Sequence, residues 1–331
     1  MATTTTSVVA NAQAFYDRTM LERAQPADVH GRFGQVRPVP KNSGNQAKFR
    51  RYSQLAAATT ALTEGVTPAG SSLSVTDVTA TLAQYGDFVT LSDMIQLTTL
   101  DPLLTETADI LGDQAGTTID QVRRDILVAG TSVAYSNGAS RAAVNTILSA
   151  GMLKSVVRSL KRQNAKKLKQ AMAAGNATAT QGLRASFVGI IHPDTEATLK
   201  GITGYVPLNQ YPSQMAVMED EVGYFDEIRF VSSTNAKVFA NGGATGGTNV
   251  ISTGGSNADV YATLFFGMDA YGVVPLSGEA LRNIVKPLGS AGSADPLDQR
   301  STSGWKATTT TIILNDAWMY RLEHANTSTL S

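Results

Sequence analysis

The chain has 331 residues, of which 42% are hydrophobic, which is enough apolar material for one large or two smaller domains. Its 27 Lys and Arg balance its 27 Asp and Glu, so any electrostatic role must be local. The absence of Cys excludes thiol catalysis, disulfides, zinc–thiolate sites and iron–sulfur clusters, and three His leave few routes to acid–base chemistry. No apolar run approaches the roughly 20 residues of a membrane helix, and the first residues lack a secretory pattern. We therefore expect neither a membrane partner nor export by that route.

Residues 1–52 are predicted to form an arm on the surface that contacts a partner. A helix-like stretch at 14–24 is followed by Pro26, Pro38 and Pro40, which prevent long regular elements. The arm carries eight bases against three acids, a net charge of +5.

Residues 53–92 show the alternation of β-strands. Leu73 and Val75 alternate with polar residues, and a GVTPAGSS turn separates the two arms of the pattern. The pattern predicts a hairpin of about 12 to 15 residues a side, or on the order of 40 to 50 Å at about 3.3 Å per residue. Because an isolated hairpin is marginal in water, we expect another surface to cover it.

A long helix is predicted to begin at Asp101-Pro102, where Asp is a favourable N-cap and Pro suits the first turn. Gly130 is the expected stop, which gives a helix about 40 Å long. Its apolar residues recur every three or four positions and predict one buried stripe: Leu104, Ala108, Leu111, Ala115, Ile119, Val122 and Ile126.

A second helix is predicted at about 149–174, in a region with nine bases and no acid between Asp125 and Asp194. Seven of the bases fall within sixteen residues, here called the basic segment: Lys154, Arg158, Lys161, Arg162, Lys166, Lys167 and Lys169. Three interpretations are open for these bases. They form a solvated helix face, they pair with the acidic stretch 219–227, or they contact nucleic-acid phosphates. The absence of interleaved aromatic residues disfavours stacking on single strands, so any such binding should be nonspecific and salt dependent.

The rest of the chain gives structural signals. SFVGIIHP (186–193) predicts a buried strand, and residues 306–323 are strand-like. The Gly/Thr/Ser/Asn-rich stretch 241–257 predicts a loop without packing residues. Its GGATGG (242–247) lacks the Lys-Ser/Thr of a phosphate-binding loop and is interpreted as a flexible loop.

No catalytic, cofactor or metal site is predicted. There is no GxSxG around a serine, and neither HExxH nor an EF-hand pattern occurs. His192, in IHPD, is typical of a histidine bonded to local backbone, and Asp295 and Asp298 are interpreted as turn and cap residues. A hydrolase using His192 with Asp194 remains as an alternative from another class.

Four segments in order resemble the major capsid proteins of tailed bacteriophages, specifically the N-four-like family. They are ALTEGVTPAG (61–70), QYGDFVTLSDMIQLTTLDPLL (84–104), GIIHPDT (189–195) and DPLDQRSTSGWK (295–306), and the resemblance covers nearly the whole chain. It implies an α+β fold of the Hong Kong 97 type. The implied parts are an N-terminal arm (1–48), an extended two-stranded loop (49–92), a peripheral domain with a spine helix (93–145 and 303–331) and an axial domain (146–302).

The resemblance also implies a function without enzymatic activity or cofactor. The protein would self-assemble as pentamers and hexamers into an icosahedral head around double-stranded DNA, in a virion assembled in the host bacterial cytoplasm. Portal and scaffolding proteins are the implied partners, with decoration proteins as a further candidate. The shell protein of a bacterial nanocompartment, which has the same fold, is the alternative.

Two surfaces follow as hypotheses. Glu64, Gly65 and Pro68, near the loop tip, are predicted to contact another subunit. The basic segment and the arm are predicted to face packaged DNA, bound nonspecifically, or an acidic scaffold.

Two departures from relatives of this fold are visible. Residues 49–153 contain no Lys, so a Lys–Asn isopeptide bond cannot start from the extended loop. Only about 14 residues precede Phe15, so we expect a separate scaffolding protein in place of a long helical prodomain.

Overall fold

The computed structural model describes residues 28–52, 55–98, 103–168, 185–211, 218–246, 249–290 and 295–328. Within these residues the α-helices are α1 Asp93–Thr98, α2 Leu103–Val128, α3 Ala150–Arg162 and α4 Asp194–Lys200. The strands are β1 Gln35–Val36, β2 Gln46–Tyr52, β3 Val75–Thr81, β4 Ala83–Ser92, β5 Val133–Tyr135, β6 Phe187–Ile191, β7 Val206–Pro207, β8 Glu221–Phe225, β9 Ile228–Ser232, β10 Val238–Phe239, β11 Val260–Phe266, β12 Tyr271–Pro275, β13 Arg282–Lys286, β14 Arg300–Ile313 and β15 Met319–His324. The predicted helix-like stretch at 14–24 lies outside the described residues.

The larger sheet runs in the order β5-β15-β11-β6-β9-β8-β7, with β10 also paired to β11. Most neighbours are antiparallel, whereas β5 with β15 and β6 with β9 are parallel. Every residue of β6 and β11 is buried, as the continuous apolar sequences FVGII and VYATLFF favour for strands covered on both faces. The buried strand predicted within 186–193 is confirmed.

Each face of this sheet has its own core, because successive strand residues point to opposite sides. One core packs α3 on the sheet through Leu153, Val156, Leu160, Phe187, Phe230 and Phe265. The other joins the sheet to α2, β12 and the arm through Val29, Leu127, Val188, Leu264, Phe266 and Tyr271.

The smaller sheet has β14 at its centre. Strands β12 and β13 pair with successive parts of one edge of β14, β4 pairs with the other edge from Arg300 to Thr309, and β1 adds to β12. Helix α2 covers one face, where Leu111, Ala115 and Ile119 pack on Trp305. The 26 residues of α2 are about 39 Å long at 1.5 Å per residue, as predicted.

The predicted stripe of α2 is correct in its middle and wrong at its C-terminal end. Ala108, Leu111, Ala115 and Ile119 are buried, but Val122 and Ile126 are only half-buried. Burial there passes to Asp120, Arg123 and Leu127, because the helix meets the arm and the larger sheet at this end. The predicted start at Asp101-Pro102 and the side chain of Leu104 lie outside the described residues. The predicted stop is confirmed, since Gly130 N donates to Leu127 O just after the helix ends.

Helix α3 is shorter than the predicted 149–174. Asn164 has φ 52°, a left-handed conformation that Asn tolerates, and Ala165 N donates to Leu160 O at 3.0 Å. This closure ends the helix at Arg162, so Lys166 and Lys167 follow the helix. Residues 169–174 lie outside the described residues.

The predicted hairpin is paired over only seven residues a side, from Gln46–Tyr52 and Val75–Thr81. Its base is held because Ala47, Phe49 and Ala80 pack on Val274 of the smaller sheet. Gly272 is required beneath it, since an added Cβ would lie 2.7 Å from the Phe49 ring. Between the strands, the described residues 55–74 contain no strand, because no second strand of this chain lies alongside them.

The sheets group the strands differently from the predicted domain boundaries. Strand β15 belongs to the larger sheet, whereas the predicted peripheral domain (93–145 and 303–331) groups it with β14. Strands β12 and β13 belong to the smaller sheet, whereas the predicted axial domain (146–302) includes them. The chain crosses between the two sheets at a short helical turn, Asp316–Trp318, that the strand-like pattern of 306–323 does not reveal.

None of the helices in the described part of the chain is long and apolar enough to cross a lipid bilayer.

Candidate interaction surfaces

The loop at 55–74 leaves the hairpin and is exposed throughout. Four large apolar side chains of this loop are exposed to solvent: Leu55 at 48%, Leu62 at 78%, Val66 at 62% and Leu73 at 66%. A turn at its tip is closed by Val66 N donating to Thr63 O, and Gly65 adopts φ 75° with open space around its Cα. Glu64, Gly65 and Pro68 are all exposed in this loop, and their contact with another subunit stays a prediction.

The face of the smaller sheet opposite α2 is covered by the hairpin at the β12 end and uncovered around β4 and β13. Phe88 of β4 is 66% exposed there, and its neighbour across the strands is Gly304, where an added Cβ would lie 2.6 Å from the Cβ of Phe88. A groove of about 550 Å³ follows these strands and is also lined by Ile284, Lys286 and Lys306. Sequence reasoning missed this groove, because only the pairing of β4, β14 and β13 places its residues side by side.

The basic segment divides into paired and unpaired bases. Lys161 Nζ lies 2.7 Å from Glu227 Oε1, and Lys167 Nζ lies 2.9 Å from Glu227 Oε2. Burial alone would raise the pKa of Glu227, but the hydrogen bonds from these two lysines lower it. For these two bases, the interpretation of pairing with the acidic stretch is confirmed.

Other bases of the segment have no such neighbour. Lys154, Arg158 and Arg162 are exposed on α3, and none of them forms an ion pair with another described residue. Lys166 is also exposed and unpaired among the residues the structure describes, whereas Lys169 lies outside them.

The acidic stretch 219–227 is largely neutralised within the subunit, and one of its acids, Glu221, is buried. Glu221 is 6% exposed and accepts hydrogen bonds from Tyr211 Oη at 2.8 Å and Met218 N at 2.9 Å, beside Arg229 at 3.3 Å. Arg32 of the arm reaches Asp220 at 3.1 Å. The stretch therefore joins the arm, a core strand and the basic segment.

The loop at 241–257 is held by hydrogen bonds in its described part. Gly243 N donates to Ala258 O at 3.0 Å and Ala244 N to Val144 O at 2.9 Å, so the described part of GGATGG is ordered where a flexible loop is predicted. Asp259 is 1% exposed and accepts from Asn241 N at 2.7 Å, Thr253 N at 2.9 Å and Thr253 Oγ1 at 2.7 Å. The buried carboxylate ties the two ends of the loop together, a contact that the loop's composition does not indicate.

His192 is bonded locally, as predicted. Its Nδ1 accepts from Asp194 N at 3.2 Å, and burial lowers its pKa. Asp194 is engaged by Tyr261 Oη at 2.8 Å, and no hydroxyl group of a described residue donates to His192. The geometry gives this pair no nucleophile to activate.

Asp295 and Asp298 form a turn, as interpreted. Asp298 N donates to Asp295 O at 3.1 Å, and Asp295 Oδ2 accepts from Arg300 N at 2.8 Å. Across the described residues, no group of three or more His, Asp or Glu is arranged to hold a metal ion.

Comparisons with known proteins give structural similarity alone. No protein-family model matches the chain, and no curated protein matches it. Among solved structures, the capsid of Ralstonia phage GP4 matches with a TM-score of 0.68 at 15% identity, covering 89% of this chain and 87% of that chain. The head of Helicobacter pylori bacteriophage KHP40 matches with a TM-score of 0.60 at 13% identity, covering 89% and 88%.

The chain has the phage capsid fold. The capsid of cyanophage P-SCSP1u extends the similarity to a phage of another host, with a TM-score of 0.59 at 15% identity over 89% of this chain and 87% of that chain. The predicted α+β fold of the Hong Kong 97 type is confirmed. The narrower likeness to the N-four-like family stays a prediction.

Proposed function

We propose that this protein is the major capsid protein of a phage, which self-assembles as pentamers and hexamers into an icosahedral head around double-stranded DNA. The observation that carries the proposal is the capsid fold, shared over about nine-tenths of the chain with heads of phages from several hosts. The exposed loop supports it, because its apolar side chains have no cover within the subunit. The protein would act in the virion after assembly in the host cytoplasm, with portal, scaffolding and decoration proteins as candidate partners.

The four predicted parts of the fold carry over with one adjustment. The arm is proposed to span 1–48, of which 28–48 are described, and the extended loop 49–92. The peripheral domain consists of α2 with the smaller sheet, so it includes β12 and β13, and the axial domain consists of α3 with the larger sheet, so it includes β15.

The loop tip is proposed to dock on the groove of the smaller sheet in a second copy of this chain. Both surfaces are exposed and partly apolar, through Leu62 and Val66 on the loop and Phe88 on the groove. Glu64 is the only charged residue between 53 and 76, and the groove presents Lys286 and Lys306. Many such contacts in a closed shell reinforce one another even where each is weak.

The assembly proposal is tested by negative-stain microscopy and sedimentation velocity on the purified full chain, after nuclease treatment and across a salt series. Closed shells, rings of five or six, or tubes are expected. A protein that stays monomeric even when coexpressed with the scaffolding protein of its genome would overturn the proposal.

The docking proposal is tested by a charge exchange. Glu64→Lys is expected to lower the yield of closed shells, and adding Lys286→Glu with Lys306→Glu should restore part of it. Asp77→Lys is the control, because Asp77 lies at the paired base of the hairpin beside Arg50 and away from the tip. Unchanged yield in Glu64→Lys, or no recovery in the combined variant, would contradict the docking.

The two alternative functions, a nanocompartment shell and a hydrolase, are disfavoured by different observations. The similar structures reported above are phage capsids, which favours a phage head over a nanocompartment shell. A hydrolase is disfavoured by the geometry at His192, and a His192→Ala protein that assembles normally would support the structural function.

A further inference from the structure

We infer that three bases on α3, Lys154, Arg158 and Arg162, form a contact stripe for the phosphates of double-stranded DNA. This inference rests on the proposed function, and it narrows the predicted set of seven bases to the three that lie on one face of α3 and have no ion-pair partner among the described residues; Lys166, also unpaired, follows the helix. They are called the free stripe below.

The opposite face of α3 fixes where the free stripe points. Leu153, Val156, Val157 and Leu160 are buried against the larger sheet, with at most 3% exposure. Successive members of the free stripe are four residues apart, so they share one face and rise about 6 Å per step. The stripe therefore presents three cations along about 12 Å of a helix held rigidly by the core.

Charge compensation separates the free stripe from its neighbours. Lys161 and Lys167 share Glu227, and Arg141, from the same acid-free region, is bound to Glu323 by two hydrogen bonds of 2.8 Å. None of the described acids lies within ion-pair distance of the free stripe. Its charges are thus available to an external polyanion.

The exposed face favours phosphate over a protein partner. Every exposed position of α3 is either a base or Gly151, so the face offers no apolar or aromatic anchor. Protein interfaces draw most of their binding energy from such anchors, whereas phosphate contacts need only Lys and Arg. The lack of any group placed to read base edges predicts binding without sequence preference.

The test compares two variants of the full-length, unassembled protein that each remove two positive charges. Lys154→Gln/Arg158→Gln disrupts the free stripe, and Lys161→Gln/Lys167→Gln removes the pair already compensated by Glu227. Binding of two fluorescent 20-base-pair duplexes of unrelated sequence is measured by anisotropy across a salt series. The free-stripe variant is expected to lower the slope of log affinity against log salt by about 1.8, equally for both duplexes. The control should lower it by much less.

If the slope falls equally in both variants, overall charge explains the binding and the inference is overturned. An unchanged slope in the free-stripe variant would overturn it as well. Loss of binding to polyglutamate with duplex affinity retained would assign the stripe to an acidic protein instead. Closed shells that bind added duplex would place the stripe on the outer surface and also overturn its assignment to packaged DNA. Because shell formation is scored separately by microscopy, normal shells with unaltered DNA binding would leave the proposed function intact.

Discussion

At the scale of single residues, the structure is held by buried charges and histidines that the sequence presents as unremarkable. Glu323 in β15 is fully buried, and it is engaged by Arg141 through two hydrogen bonds and by Arg321 at 2.9 Å. The guanidinium of Arg141 also lies 3.4 Å from the centre of the Phe239 ring. The hydrogen bonds to Glu323 raise the pKa of Arg141 above its ordinary value.

Arg141→Ala is expected to lower the free energy of unfolding by about 3 kcal/mol, because it leaves a buried carboxylate with only one of its two arginines. Lys200→Ala is the matched control, since its ion pair with Glu196 is 3.8 Å long and exposed and should be worth less than about 0.5 kcal/mol. Urea denaturation of the unassembled protein measures both. Similar losses in the two variants would contradict the stabilising role of Arg141.

His324 gives stability a pH dependence whose direction follows from its contacts. Its Nδ1 donates to Ala325 O at 3.0 Å, so the neutral ring accepts from Thr263 Oγ1 at Nε2, and burial lowers its pKa from 6.5 to about 4. Below about pH 6.5 the unfolded chain therefore takes up a proton that the folded chain excludes. Stability attributable to this group is complete above pH 6.5 and falls by up to about 3 kcal/mol as the pH approaches 4.

The pH prediction is checked by urea denaturation at several pH values between 7.5 and 4.5. His324→Gln should be less stable at pH 7.5 but lose less stability on acidification. His192→Gln is the comparison, because His192 is only partly buried and contributes less to the slope. If the wild type and His324→Gln lose stability in parallel, another group causes the pH dependence.

At the scale of elements, one face of the smaller sheet packs against α2, and the other carries the exposed ring of Phe88. Trp305 is 4% exposed under α2, and its Nε1 donates to Gln114 Oε1 at 3.0 Å. Gln114 in turn donates to Asp87 Oδ2 at 2.7 Å, so one polar chain joins the long helix to both β14 and β4. Phe88 lies on the other face of β4, in the groove proposed for a second copy.

Trp305→Ala is expected to cost about 3 to 5 kcal/mol of stability, because it empties the core beneath α2. Phe88→Ala should cost less than about 1 kcal/mol in the isolated subunit and yet lower shell yield, because its ring packs only when a second copy docks. Thermal unfolding and electron microscopy of the same two preparations separate the effects. A Phe88→Ala protein that forms shells at the wild-type yield would remove Phe88 from the docking surface.

At the scale of the whole molecule, the arm is fastened to α2 and β12. His30 is fully buried, and Asp120 Oδ1 accepts from both its backbone N at 2.7 Å and its Nδ1 at 2.8 Å. Asn235 donates to the other oxygen of Asp120 at 2.9 Å, and Tyr271 Oη donates to His30 O at 2.6 Å. Burial would raise the pKa of Asp120, but the hydrogen bonds from His30 and Asn235 lower it.

Asp120→Ala is expected to free the arm from α2, so trypsin should cleave after Arg32 about tenfold faster in the native state. Asp125→Ala on the same helix is the control, because Asp125 is exposed and contacts Arg124 and Lys237 away from the arm. Mass spectrometry of timed digests locates the cuts. Equal cleavage rates in the two variants would show that Asp120 does not secure the arm.

Elements whose signal is periodic and local can be predicted from the amino-acid sequence. The length of α2 and its stop at Gly130, the buried strand β6, and the strands of the chain's end follow from spacing and caps within the elements themselves. The ordered set of four motifs also indicated the capsid fold and drew attention to the exposed loop tip.

Contacts between residues far apart in the chain could not be predicted from the sequence, because they depend on how the elements pack. Strand β15 pairs with β5 and β11 because of a turn at Asp316–Trp318, and α3 ends early because Asn164 closes it. The same holds for the basic segment: Glu227, some 60 residues away from Lys161, decides which charges are compensated. The sequence gives the number and order of the charges. Whether two of them pair depends on distances of a few ångströms, which only the folded chain defines.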